Sequence, residues 1–298
     1  MKKCAIFLSF FIALSLFSSC SFQNVNEYNG KKIVRSKKIE GVSEYHDLLE
    51  QRYQEVEPAR NLGVVPKVFA VNLPKDLLEY PTQVKCQTFI ELVLPEVVRL
   101  RNEVFAQRKK LVVIAAKQKQ GVSLNASEHK YIKIIAQQYK SESKKAQDLL
   151  ERVDIIPASL VLAQAILESG WGTSRFATEG NALYGEHVPP KSSRPHIKSK
   201  DGSAKVAKFE TIYEATKSYV DNLNSHEAYK KLRKLRAQQR LRGEHPSGVD
   251  MAGGLLAYSE IGNEYVKSLR YLIRRYKLED FDTMDFEKSS EEINIRFS

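Results

Sequence analysis

From about residue 46 the apolar positions recur at helical spacing rather than in strict alternation. EYHDLLEQRYQEV predicts a short helix, and LPKDLLEYPTQ opens another turn with Pro74 in a first-turn position after Asn72. A longer helix follows in TFIELVLPEVVRLRNEVFAQRKKLVVIAAKQKQG. Its apolar side carries Ile90, Val93, Leu94, Val97, Val98 and Leu100, it ends at Gly121, and Pro95 is expected to kink or restart it. Asn125, with Glu128 three residues on, has the form of a capping box opening SEHKYIKIIAQQYKSESKKAQDLLERV. The next helix is PASLVLAQAILESG, with Pro157 near its first turn and Gly170 placed to cap its end. Between 185 and 209 the pattern changes. RPHIKSK and SAKVAKF flank Asp201-Gly202, a strong hairpin signal, so one small two-stranded element is expected. Helical spacing returns in YEATKSYVDNLNSHEAYKKLRKLRAQQRL and again in LLAYSEIGNEYVKSLRYLIRRYKL. The acidic residues 281–298 predict a tail that packs loosely.

The amino terminus is built differently. Lys2 and Lys3 precede an apolar run from Cys4 to Phe17 and then small residues, the pattern of an export signal. That run is shorter than the roughly 18 to 20 apolar residues of a membrane-spanning helix, which favours a signal over a permanent anchor. Phe17-Ser18-Ser19-Cys20 resembles the lipobox of bacterial lipoproteins, although Phe17 stands where Leu is usual. The resemblance implies acylation of Cys20 after removal of 1–19, anchoring in a lipid bilayer, and, because Ser21 and not Asp follows, sorting to the outer membrane with the body facing the periplasm. Residues 20–45, polar and basic without a period, predict a flexible tether; 46–152 a helical region; 153–280 a second unit; and 281–298 the tail.

Composition narrows this frame. Across 298 residues, 42% hydrophobic and 28% charged content fits a folded chain, not a disordered or multi-span one. The net charge of +11 favours anionic partners. An exported chain with an acidic tail argues against nucleic acid. The basic run at 230–242 could touch anionic wall or lipid, or form a solvated helix face. If Cys4 leaves with the signal and Cys20 is acylated, Cys86 remains alone in an apolar helical stretch, a buried inert thiol. His226-Glu227 has Lys230 where a zinc-binding helix would carry a second histidine, so no metal is implied, and no phosphate loop or cofactor motif is present.

Glu168 is the residue with the clearest chemistry. In the last turn of its helix the macrodipole disfavours its ionisation, and the apolar Ile166, Leu167 and Trp171 nearby would raise its pKa further. A glutamic acid kept protonated near neutral pH can protonate a glycosidic oxygen; a solvated helix-end Glu fits the same residues. Glu168-Ser169-Gly170-Trp171-Gly172-Thr173-Ser174 resembles the ES-x-WG-x-S signature of a peptidoglycan glucosaminidase family, and Asn181-Ala182-Leu183-Tyr184-Gly185 resembles its N-x-LFG segment. Similarity to the Bax-type branch extends over about 66 to 280, through NLNSHEAYKKLRKLRAQQR and GGLLAYSEIGNEYVKSL.

The resemblance implies a mainly α, lysozyme-like α+β glucosaminidase domain with a small β-hairpin, preceded by a helical region and acting on peptidoglycan glycan strands. Glu168 matches the general acid and Tyr258 the tyrosine near the scissile bond, with a core aromatic as the alternative for Tyr258. Trp171 could stack on a sugar or pack beneath the helix, and Asn181 and Tyr184 are candidates for the cleft wall, with loop-capping as the alternative for Asn181. Glycoside hydrolysis usually needs a second carboxylate. In this basic hairpin the choices are Glu186, Asp201 and Glu210, with Asp201 already suited to the turn. Either the substrate's own N-acetyl group attacks, the preferred option, or an acid on the hairpin closes over the sugar. A lytic transglycosylase and a non-catalytic wall-binding lipoprotein are the competing readings.

Overall fold

A computed structural model describes residues 33–189, 191–256, 258 and 262–298. The expected signal 1–19, Cys20 and the first part of the expected tether lie outside the described residues. The described helices are α1 Val42–Tyr53, α2 Pro58–Leu62, α3 Thr82–Lys119, α4 Ala126–Gln138, α5 Ala146–Leu149, α6 Ala158–Ser169, α7 Arg175–Gly180, α8 Ile212–Ser225, α9 Lys230–Leu241, α10 Gly248–Met251 and α11 Asn263–Arg275. The mainly α expectation holds. None of these helices is long and apolar enough to cross a membrane.

Helix α3 runs on through Pro95, so it does not restart there. The helix continues through it because that stretch is buried and packed against α6, α8 and a strand, so tertiary contacts offset one missing hydrogen bond. The capping box forms as read: the Asn125 side chain accepts from Glu128 N, and the Glu128 carboxylate accepts from Asn125 N, each at 2.9 Å.

Both chain ends need correction. Residues 33–39, assigned to a flexible tether, form strand β1 (Ile33–Ile39), and α1 begins at Val42. The expected loose tail contains strand β5 (Glu291–Phe297), the centre of a parallel sheet between β1 and β2 (Val68–Ala70). In β5 the alternating Ile293, Ile295 and Phe297 face the core. β1 is an exposed, cationic edge with only Ile39 buried, so its order comes from its partner and not from its own pattern. The hairpin is present, with β3 (His196–Lys198) and β4 (Lys205–Ala207) antiparallel.

One large apolar core joins Ile39 to Val104 with residues 156–297, crossing the expected boundary at 152; a satellite core unites Leu111, Ile114, Ile132, Ile135, Tyr139 and Leu149. The basic run at 230–242 is not one solvated face, since Arg233 and Arg236 are each 1% exposed. Arg236 donates to the carbonyls of Asp154, Ile155 and Glu151 at 2.9–3.0 Å, pinning the loop that leads into α6. Asp282 accepts from Ser159 N at 2.8 Å and Ser159 Oγ at 2.9 Å, holding the first turn of the same helix. The central apolar helix is thus fixed at its entry by buried polar bonds.

Candidate functional site

Every residue of α6 is buried except Leu167 and Glu168, so an otherwise core helix delivers one carboxyl to an open face at its last turn. The chain then reverses through three successive left-handed residues, Gly170 (φ +58°), Trp171 (φ +62°) and Gly172 (φ +74°). A Cβ on Gly172 would lie 2.7 Å from Phe89 and 2.8 Å from Leu73, which explains glycine there. Ser169 Oγ donates to Ala165 O at 2.5 Å and accepts from Gly172 N at 2.8 Å, and Trp171 N donates to Ile166 O at 3.1 Å. The signature ESGWGTS is therefore a turn that fixes where Glu168 stands.

Trp171 carries an unfavourable backbone for a non-glycine residue, a cost of about 1–2 kcal/mol. Its indole offsets this by packing edge-to-face on Phe89 (6.1 Å between ring centroids) and Tyr276 (4.6 Å). Of the two roles the sequence allowed it, the structure displays the packing one, with the indole only partly buried.

Glu168 Oε1 accepts a hydrogen bond from Tyr265 Oη at 2.7 Å. Tyr265 Oη in turn accepts from Gln164 Nε2 at 2.9 Å, and Tyr219 Oη donates to Gln164 Oε1. Both hydroxyl donors of this buried chain are spoken for, so Oε1 is held as an acceptor and a proton on the carboxyl belongs on Oε2. That oxygen lies beside Gly185, where an added Cβ would come within 3.3 Å. Burial raises the pKa of Glu168 above the ordinary carboxylate value, opposed by the Tyr265 bond and by the nearby His187.

Tyr258 lies within electrostatic reach of this carboxyl. Its ring stacks on Tyr265 at 5.5 Å, its hydroxyl donates to Tyr184 O at 2.7 Å, and burial followed by the Glu168 charge pushes its pKa well up. The Tyr184 side chain is not on a cleft wall: it is 3% exposed, stacked on Tyr219 at 4.2 Å and bonded to Thr216, and only its carbonyl reaches the site. Asn181 is likewise a structural cap, left-handed at the end of α7, with Nδ2 donating to Phe209 O at 3.2 Å. Both turn the N-x-LFG-like segment so that Gly185 meets Glu168.

Of the carboxylates considered as partners, Asp201 is committed to the hairpin tip. It accepts from Ser199 Oγ, Ser203 N and Ser203 Oγ, bonds that lower its pKa to about 2. Glu186, one residue after Gly185, is closer along the chain to Glu168. Its carboxylate is bound by Arg194 and accepts from Ser218 Oγ at 2.7 Å. Neither is an unengaged base. Sequence reasoning missed Tyr265, Gln164 and Tyr219; the readable signal was Gln164, a lone polar residue four before Glu168 on an apolar helix.

A glucosaminidase family model, described as mannosyl-glycoprotein endo-beta-N-acetylglucosaminidase, matches residues 143–278, which contain every member of the constellation around Glu168. Protein bax of Escherichia coli (strain K12) is 35% identical over 198 residues, covering 64% of this chain and 69% of that protein. Exo-glucosaminidase LytG of Bacillus subtilis (strain 168) is 37% identical over 83 residues, 25% of this chain and 29% of that protein. The glycoside hydrolase domain of Salmonella typhimurium FlgJ aligns at 20% identity over 49% of this chain and 81% of its own, with a TM-score of 0.32.

Proposed function

This chain belongs to the Bax-type branch of the glucosaminidase family, and on that premise we propose that it is a peptidoglycan hydrolase cutting the β-1,4 bond after N-acetylglucosamine, with Glu168 as general acid. The observation that carries the reading is the setting of Glu168: burial raises the pKa of the carboxyl, Tyr265 holds Oε1, and Oε2 faces Gly185 at the end of an otherwise buried helix.

In this reading Oε2 gives its proton to the glycosidic oxygen as that oxygen leaves C1. The acetamido oxygen of the same sugar attacks C1 from the opposite face, so one C–O bond forms while another breaks and the electron pair leaves with the protonated alcohol. Water then adds at C1, the Glu168 carboxylate takes its proton, and the acetamide is restored with retained configuration. The engagement of Glu186 by Arg194 and Ser218, and of Asp201 by its own turn, supports this route over a second protein carboxylate. Tyr258, between Glu168 and the Tyr184 carbonyl, lines the reacting face. Acylated Cys20 would anchor the enzyme in the outer membrane, facing the periplasm beside its substrate. Incorporation of a fatty-acid label that disappears in Cys20→Ala tests that anchor.

The test of the reaction is digestion of purified sacculi. Wild type should release soluble muropeptides and Glu168→Gln should be slower by about 10²–10⁴, the worth of a general acid. Products ending in anhydro-muramic acid would overturn hydrolysis in favour of transglycosylation. Retention of sacculi with no release by either protein would overturn catalysis altogether.

A further inference from the structure

Helix α11 has two opposed faces. Tyr265, Val266, Leu269 and Ile273 are buried, and Tyr265 holds the catalytic carboxyl. On the other side Lys267, Arg270, Tyr271, Arg274 and Arg275 follow the i, i+3, i+4, i+7, i+8 spacing of one helical stripe, about 12 Å long at 1.5 Å per residue. They form an open surface without an acidic residue in its lining. Like charges three and four apart on a helix repel, so this stripe carries a repulsion that a bound anion would relieve.

Its internal compensation is slight. Lys267 pairs with Glu264 at 2.7 Å, but both side chains are about 70% exposed, and such a pair contributes little. Arg270 Nε donates to Val249 O at 2.9 Å, which fixes its place without neutralising it, and Arg275 lies over the Tyr276 ring. Among the described residues neither Arg274 nor Arg275 forms an ion pair.

The stripe also continues at both ends. Arg270 lines a neighbouring cleft with Lys231, Arg242 and one acid, Asp250, with Arg242 itself paired to the exposed Glu244 at 2.7 Å, and Arg275 lines another with Arg60 and Lys277. The acids of that last cleft oppose an anion weakly: Glu57 lies 3.6 Å from Arg60, and Glu91 is buried with its pKa pushed up to about 8. Three surfaces in a row, joined by the shared Arg270 and Arg275, suit a linear polymer with spaced anionic groups.

We propose that this cationic band is a docking track for a linear, carboxylate-bearing polymer and, resting on the functional reading above, that the polymer is wall glycan still carrying its acidic stem peptides. Bound there, a strand is held by the same helix whose inner face positions Glu168.

The experiment measures retention, not turnover, so that its outcome is independent of the hydrolase reading. The full chain bearing Glu168→Gln is incubated with intact sacculi, with amidase-treated glycan lacking stem peptides, and with phosphatidylglycerol vesicles, over a range of salt. Intact sacculi should retain it in a salt-sensitive manner. Adding Lys267→Gln, Arg274→Gln and Arg275→Gln should weaken that retention about tenfold, a few-fold per exposed ion pair, and should change nothing on stripped glycan. A melting temperature equal to that of the parent excludes unfolding as the cause. Equal retention of the triple variant on intact sacculi, or an equal loss on stripped glycan, overturns the proposal. So does loss of vesicle binding with sacculus binding intact, which would make the band a membrane face.

Discussion

Replacing Tyr265 by Phe removes one hydroxyl and leaves the ring that packs α11 against Tyr258. Two bonds go with it: the donation to Glu168 Oε1 at 2.7 Å and the acceptance from Gln164 Nε2 at 2.9 Å. The buried Gln164 amide is left with an unpaired donor, a cost of about 1–3 kcal/mol in stability. Catalysis should change in a way that this loss does not explain. The Tyr265 bond lowers the pKa of Glu168 while burial raises it, so removing the bond leaves burial less opposed and the pKa rises further. A general acid works protonated, so activity falls as pH rises through that pKa. The descending limb of kcat/KM should therefore move to higher pH in Tyr265→Phe. The carboxyl also loses its fixed orientation, and kcat at the optimum should fall about tenfold, equivalent to roughly 1.4 kcal/mol of barrier. Rates of muropeptide release at a series of pH values, with a thermal melt beside them, give both quantities. A lower melting temperature with an unmoved or acid-shifted limb would refute the role assigned to Tyr265 and reduce it to a packing residue.

Glu186→Gln and Asp201→Asn should each keep kcat/KM within about tenfold of wild type on sacculi, against about 10²–10⁴ lost in Glu168→Gln; a loss of the latter size at either site identifies a second catalytic carboxylate. Gly185→Ala should destabilise by about 1–2 kcal/mol, because φ is +63°, and should lower activity by more than that because the new methyl lies 3.3 Å from Glu168 Oε2; melts and rates measured together separate the two effects. Glu91 is buried with its pKa raised to about 8, from an ordinary value near 4.5. The folded state holds its proton more tightly than the unfolded one, so this group's contribution is complete below about pH 4.5 and is lost as pH rises to about 8. Glu91→Gln should accordingly raise the melting temperature at pH 9 and change it little at pH 4.5; equal effects at both would show that the carboxyl does not titrate across that range.

The helices and hairpin around the site were legible because each carries a local signal. The Asn125–Glu128 box, the apolar run of α6 closed by Gly170, and Asp201-Gly202 all form as their chemistry dictates. Glu168 was legible for the same reason, as a carboxyl at the end of an apolar helix. What escaped depends on partners distant in sequence. β1 is polar and almost wholly exposed, and only pairing with β5, some 250 residues away in sequence, makes it a strand. Tyr265 lies 97 residues from Glu168, and nothing in NEYVKSL distinguishes its hydroxyl from that of any other helical tyrosine until the fold brings them together. Asn181 and Tyr184 were candidates for the cleft wall because their motif resembles an active-site segment, with capping open for Asn181. Their buried side chains hold the turn that brings Gly185 to Glu168.

The central claim is that Glu168 protonates a glycosidic oxygen and that water, not an internal hydroxyl, completes the reaction. Mass spectrometry of sacculi digested in water enriched in oxygen-18 tests it most directly. The account predicts muropeptides ending in reducing N-acetylglucosamine that carries one heavy oxygen, produced by wild type and absent with Glu168→Gln. Unlabelled anhydro ends, a labelled muramic acid terminus, or labelled N-acetylglucosamine produced equally by Glu168→Gln would contradict it.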